Sequence, residues 1–143
     1  MDRLKKSLSN FSDALRRFEE SIIKIQNCKN SENYSFFRDS AIQRFEFTFE
    51  IMWKTMKVFL EREGIRCASP RACIRELFTT GYIKEETARE LLKMLNDRNL
   101  TVHTYREEIA EDIANRLGDY VKTLRKLESI FKKEVSYGEN HRH

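Results

Sequence analysis

Apolar residues open the chain at alternating steps of four and three: Leu4, Leu8, Phe11, Leu15, Phe18, Ile22 and Ile25. That spacing keeps the side chains on one face of a helix and predicts an amphipathic helix of about six turns. The polar run Asn27 to Asn33 breaks the pattern and supplies capping side chains. A second stripe follows through Phe37, Ala41, Phe45, Phe49, Met52, Met56 and Phe59, widened by Ile42, Phe47, Trp53 and Val58. So broad an apolar face predicts a helix with neighbours on two sides, stopped by Gly64. Ser69-Pro70 reads as the start of a short helix, with serine capping and proline at a position whose N–H is not needed. Ile74, Leu77 and Phe78 belong to it, and Gly81 closes it. Another helix begins near Lys84-Glu85-Glu86 and carries Ala88, Leu91, Leu92 and Leu95. Thr104 and Glu107 have the spacing of a capping box for the last helix, whose stripe is Ile109, Ile113, Leu117, Val121, Leu124, Leu127 and Phe131.

These patterns predict an all-α fold, an up-and-down helical bundle of three long and two short helices. The expected layout is one domain over residues 1–134 and a polar, flexible tail over 135–143. Composition agrees, since four glycines and one proline in 143 residues leave little material for the turns of an all-β fold. Charged residues at 35% and hydrophobic ones at 40% fit amphipathic helices rather than disorder. Apolar runs are too short for a membrane span, and no secretory signal is legible, so the expected location is cytoplasmic. Cys28, Cys67 and Cys73 lack paired metal spacing, and only one histidine lies outside the tail, so no metal site and no cofactor are expected. Cys67 and Cys73 flank the Ser69-Pro70 start and could lie close, but reduced buried thiols are the expectation for this compartment. A net charge of +4 permits nucleic-acid contact without demanding it.

The chemistry concentrates between Arg98 and Tyr105. His103 is the one histidine in the body of the chain, placed just before the last helix, with Arg98 near the end of the preceding one. An always-charged guanidinium and a group titrating near neutrality therefore share one junction. Arg98 can neutralise a phosphate or carboxylate, and His103 can move a proton. Asn99 adds a donor and acceptor, and Tyr105 adds a hydroxyl. An isolated Arg-x4-His is most often surface decoration, and Asp97 could simply pair with Arg98 or cap a helix. On the second helix Glu46, Glu50 and Lys54 recur every four residues, with Gln43 nearby; on spacing alone they read equally well as a solvated ion-pair ladder. His141 and His143 are tail residues with no expected role.

Three blocks together, Gln43 to Lys54, Ser69-Pro70-Arg71 and Arg98-Asn99-Leu100-Thr101-Val102-His103-Thr104-Tyr105, resemble the nucleotidyltransferase substrate-binding proteins of the HEPN superfamily. The resemblance runs in order over roughly residues 4 to 131. It implies a helical bundle that dimerises, with higher hetero-oligomers open, beside a small separate nucleotidyltransferase subunit. Two activities are implied. In one, the chain is a metal-independent ribonuclease toxin with Arg98 and His103 as the catalytic pair and Asn99 in support. The partner then silences it by transferring AMP to Tyr105. In the other, the chain only presents a substrate to the partner enzyme. Glu46 and Glu50 are candidates for the acidic residue that supports such sites.

Cleaving RNA through its own 2′-hydroxyl calls for a base, an acid and a cation. One chain supplies a single suitable histidine, so a ribonuclease is expected to place two copies of the junction in one cleft across a two-fold axis.

Overall fold

The computed structural model describes residues 2–140, and its helices follow the apolar stripes. In chain order they are α1 (Asp2–Asn27), α2 (Tyr34–Arg62), α3 (Pro70–Thr79), α4 (Glu85–Leu100) and α5 (Glu107–Asn140), with a single 3-10 turn at Thr101–His103 between the last two. α1, α2 and α5 have 26, 29 and 34 residues, against 10 and 16 for α3 and α4, which gives the expected three long and two short helices.

Cross-helix contacts fix the directions. Arg3 reaches Glu61 and the Ser7 hydroxyl meets that of Thr55, so α1 and α2 run antiparallel. Phe45 stacks on Tyr120 and Phe59 meets Phe131, which sets α2 and α5 in the same direction. α4 runs back along α5. Leaving α3 aside as a short insertion, the order is up-down-up-down.

The core is one cluster. Leu4, Leu8, Phe11, Leu15 and Phe18 of α1 meet Phe45, Phe49, Met52, Met56 and Phe59 of α2 and Leu117, Leu124, Leu127 and Phe131 of α5. α2 touches all four other helices, as its broad apolar face requires. Phe47 does not share in this: it is 51% exposed, on the opposite side of the helix from Phe45.

The stop and start signals work as read. Gly64 and Gly81 adopt positive φ at the ends of α2 and α3, where a side chain would be strained. The Ser69 side chain accepts from the Ala72 N–H, with Pro70 at the first helical position. Three expectations are corrected. Thr104 does not cap α5: its hydroxyl donates to the Thr101 carbonyl, α5 begins only at Glu107, and the Glu107 carboxylate is drawn away by Arg38. Cys67 and Cys73 form a disulfide rather than two free thiols, because the first turn of α3 folds back on the segment leading into it and brings their Cα atoms to 5.2 Å. The flexible tail does not begin at Val135; α5 continues through Asn140 and buries Val135. His141 and His143 lie outside the described residues.

The contrast between Phe45 and Phe47 is measurable. Phe45→Ala, in a fully buried ring contact with Phe18, Phe49 and Tyr120, should cost about 3–5 kcal/mol in urea unfolding. Phe47→Ala should stay within about 0.5 kcal/mol of the parent.

Candidate functional site

The junction between α4 and α5 is held by two ionic clusters, one on each side. At the end of α4, Asp97 is 3% exposed and takes a bidentate pair from Arg116 of α5, with Nε and Nη2 at 2.7 and 2.8 Å. The Tyr120 hydroxyl donates to the same carboxylate. Burial and that hydrogen bond push the Tyr120 phenol well above its ordinary pKa. Asp97 therefore neither pairs with Arg98 nor caps a helix; it fastens α4 to α5. Tyr120 in turn stacks on Phe45, so the clamp reaches α2.

At the start of α5 the fixed point is Arg38, an arginine 2% exposed at the beginning of α2. Its guanidinium donates to both oxygens of Glu107, at 2.7 and 3.1 Å, and to Glu111 at 3.2 Å. The Tyr34 hydroxyl donates to Glu111 at 2.6 Å, and the Tyr34 pKa is raised to about 12 by burial and by that carboxylate. Arg38, through its hydrogen bonds and then its charge, holds the Glu107 carboxyl below its usual range.

Between these clamps the candidate residues face outward. One residue past Asp97, helical geometry turns the side chain by about 100°, and Arg98 points to α2 instead of α5. There its Nη2 donates to Glu50 at 2.8 Å, and Glu50 also holds Lys54 at 3.6 Å. The spacing of Glu50 and Lys54 thus makes an ion pair within α2 and a link to the junction at once. Glu46 lies one turn earlier, half-buried, and forms no ion pair among the described residues. Asn99 and His103 are exposed. His103 ends the 3-10 turn, and its ring lies 6.0 Å from that of Tyr105, edge to face. Tyr105 is 78% exposed and Val102 is 72% exposed, so apolar surface flanks the histidine in the chain. Arg98, His103 and Tyr105 therefore lie along one short, accessible segment on a rigid base.

Arg38, Arg116 and Tyr120 are not among the residues singled out from sequence. Arg38 and Tyr120 each fall in register with the buried stripes of their own helices, which is the signal that marks them. Among the described residues, no three His, Cys, Asp or Glu side chains are grouped to hold a metal ion, and no helix is long and apolar enough to cross a membrane.

Residues 6–133 match the family model described as nucleotidyltransferase substrate binding protein like. The chain belongs to the nucleotidyltransferase substrate-binding protein family. Solved structures of similar fold agree. A Thermus thermophilus protein is 39% identical, with a TM-score of 0.68 over 80% of this chain and 98% of its own. A Haemophilus influenzae protein, described as revealing the fold of a substrate binding domain of a nucleotidyltransferase, is 23% identical with a TM-score of 0.77, over 87% and 98% of the two chains. A tri-AMPylated HEPN toxin of Shewanella oneidensis, in complex with MNT antitoxin, is 16% identical with a TM-score of 0.71, over 93% and 98%. The last two share the fold. No curated protein matches the chain.

Both clamps can be tested. Asp97→Ala leaves Arg116 without its carboxylate and should cost roughly 2–3 kcal/mol by chemical unfolding. The Arg38 cluster makes a pH signature. A carboxylate with a depressed native pKa stabilises the fold above its unfolded pKa, and that contribution is lost as pH falls through the native value. The parent should therefore exceed Arg38→Met in Tm at pH 7, with the gap narrowing in acid below the usual glutamate range. A gap independent of pH would place the effect elsewhere.

Proposed function

We propose that this family member is a metal-independent endoribonuclease of HEPN type, the toxin of a toxin–antitoxin pair, with Arg98 and His103 as its catalytic residues. The observation that carries this reading is the arrangement of the junction: a proton-transfer group, a charged guanidinium and an exposed phenol on one segment held between two ionic clusters, one built on the buried Asp97 and the other on the buried Arg38. In the reaction a base takes the proton of an RNA 2′-hydroxyl, whose oxygen attacks the adjacent phosphorus. The P–O5′ bond breaks, an acid protonates the leaving oxygen, and a 2′,3′-cyclic phosphate and a 5′-hydroxyl remain. Arg98 stabilises the charge on phosphorus, Glu50 positions Arg98, and Asn99 and Glu46 are supporting residues.

Base and acid must be two groups, and one chain holds one suitable histidine. The working unit is accordingly a homodimer with two junctions in one cleft, and the exposed Val102 and Tyr105 around His103 supply apolar surface for that approach. A small nucleotidyltransferase silences the enzyme. The Tyr105 hydroxyl attacks the α-phosphorus of ATP, pyrophosphate leaves, and the bulky anionic AMP group sits beside His103. The exposure of Tyr105 suits it to entry into a partner's active site, and the AMPylated toxin fold in Shewanella oneidensis supports the same logic. A cytoplasmic location follows from this reading, since both RNA and ATP are found there.

A second reading has its own support. Arg98 is already neutralised in part by Glu50, and the family is described by substrate binding. In that case Arg98 and His103 hold an anionic substrate for the partner enzyme without cleaving anything.

The purified protein should cut RNA in EDTA, and His103→Ala should abolish cutting. Incubation with ATP and the partner subunit should add the mass of one AMP at Tyr105 and stop the cleavage. An unmodified Tyr105, an inert protein towards RNA and a bound small anion would favour the second reading. Cutting that survives His103→Ala would overturn the assignment of the catalytic pair.

A further inference from the structure

Away from the junction, a groove of about 430 Å³ runs between α1 and α2. Its floor is apolar, built from Ala14, Phe47 and Ile51, and its walls carry Arg17, Arg44 and Lys54 against one carboxylate, Asp13. Lys54 is paired with Glu50, so Arg17 and Arg44 against Asp13 leave a local excess of one positive charge. Among the described residues neither Arg17 nor Arg44 forms an ion pair. Phe47 spends half its surface in water although the core lies one helix face away. Two guanidinium groups without a carboxylate partner beside a half-exposed aromatic ring are the composition of a surface that takes nucleic-acid single strands.

The groove and the junction share a rim. Lys54 lines the groove and lies 3.6 Å from Glu50, and Glu50 holds Arg98 at 2.8 Å. A strand whose phosphate meets Arg98 would pass Lys54 next. Ten residues separate Lys54 from Arg44 on α2, a helical rise of about 15 Å, which is longer than one nucleotide. The cations are therefore spaced for a chain of phosphates rather than for a single free nucleotide. One ring face at the floor suits an unstacked base, which a duplex does not offer.

We infer that the α1–α2 groove is the binding track for single-stranded RNA flanking the scissile phosphate, with Phe47 stacking a base and Arg17, Arg44 and Lys54 contacting phosphates. The inference rests on the ribonuclease reading for its substrate class, but it is carried by different residues.

Fluorescence anisotropy with a labelled eight-nucleotide single-stranded RNA tests it, using full-length His103→Ala so that no cutting occurs. Adding Phe47→Ala should weaken binding about five-fold or more. Adding Arg17→Gln and Arg44→Gln together should lower the slope of log affinity against log salt by about 1.4, at about 0.7 per lost phosphate contact. An RNA duplex of the same length should bind less tightly than the single strand. Unchanged binding in these variants would overturn the inference. So would equal affinity for duplex, or weakening accompanied by a change from dimer to monomer in sedimentation, which would make the groove an interface between copies. Activity separates this from the ribonuclease reading. If the parent cuts RNA and Phe47→Ala cuts it with an unchanged KM, the groove assignment falls alone. If the parent does not cut but Phe47→Ala still loses RNA, the ribonuclease reading falls and the groove stands.

Discussion

The buried carboxylate of Asp97 is the constraint on which the candidate site depends. Once it is removed from water it needs full compensation, and Arg116 and Tyr120 supply it from a single face of α5. That requirement fixes both the distance and the rotation of α4 against α5. Rotation is the important part. With Asp97 turned inward, Arg98 has to point to α2, where Glu50 receives it.

Arg38 does the corresponding work at the other end. By holding Glu107 and Glu111 it sets where α5 begins, and so how many residues are left to cross from α4. The span from Thr101 to Arg106 is short and anchored on both sides, which allows His103 and Tyr105 to be exposed without being loosely placed. Binding and catalytic groups are commonly carried on short segments over a rigid scaffold, and the physical reason is visible in this junction. The apolar core supports the arrangement indirectly, through the stack of Phe45 on Tyr120.

The same helix that supports the site also divides the surface. One side of α2 faces α4 through Glu50, another faces α1 along the cationic groove, and Lys54 stands between them. A charged ladder at four-residue spacing, which on many helices is only a solvated face, here connects the α4–α5 junction to the groove because α4 and α1 lie on either side of it.

The periodicity of apolar residues determined the helices, their number and their relative lengths, since burying a stripe requires a helix and each stripe is unbroken. Ser69, Pro70, Gly64 and Gly81 marked ends because backbone geometry at those positions depends on local chemistry alone. The motif residues Arg98, Asn99, His103 and Tyr105 were legible for the same reason: they are close in sequence. What tertiary structure decided is every pairing across helices. Asp97 could have bonded its neighbour, Thr104 could have capped α5, and Cys67 and Cys73 could have remained apart. The first two outcomes turned on side chains arriving from distant positions, Arg116 and Tyr120 for Asp97 and Arg38 for Glu107, and the third on how the first turn of α3 folds back on the segment before it. A sequence records the apolar period that drives packing, but the partner of a buried charge is set only when the helices have packed.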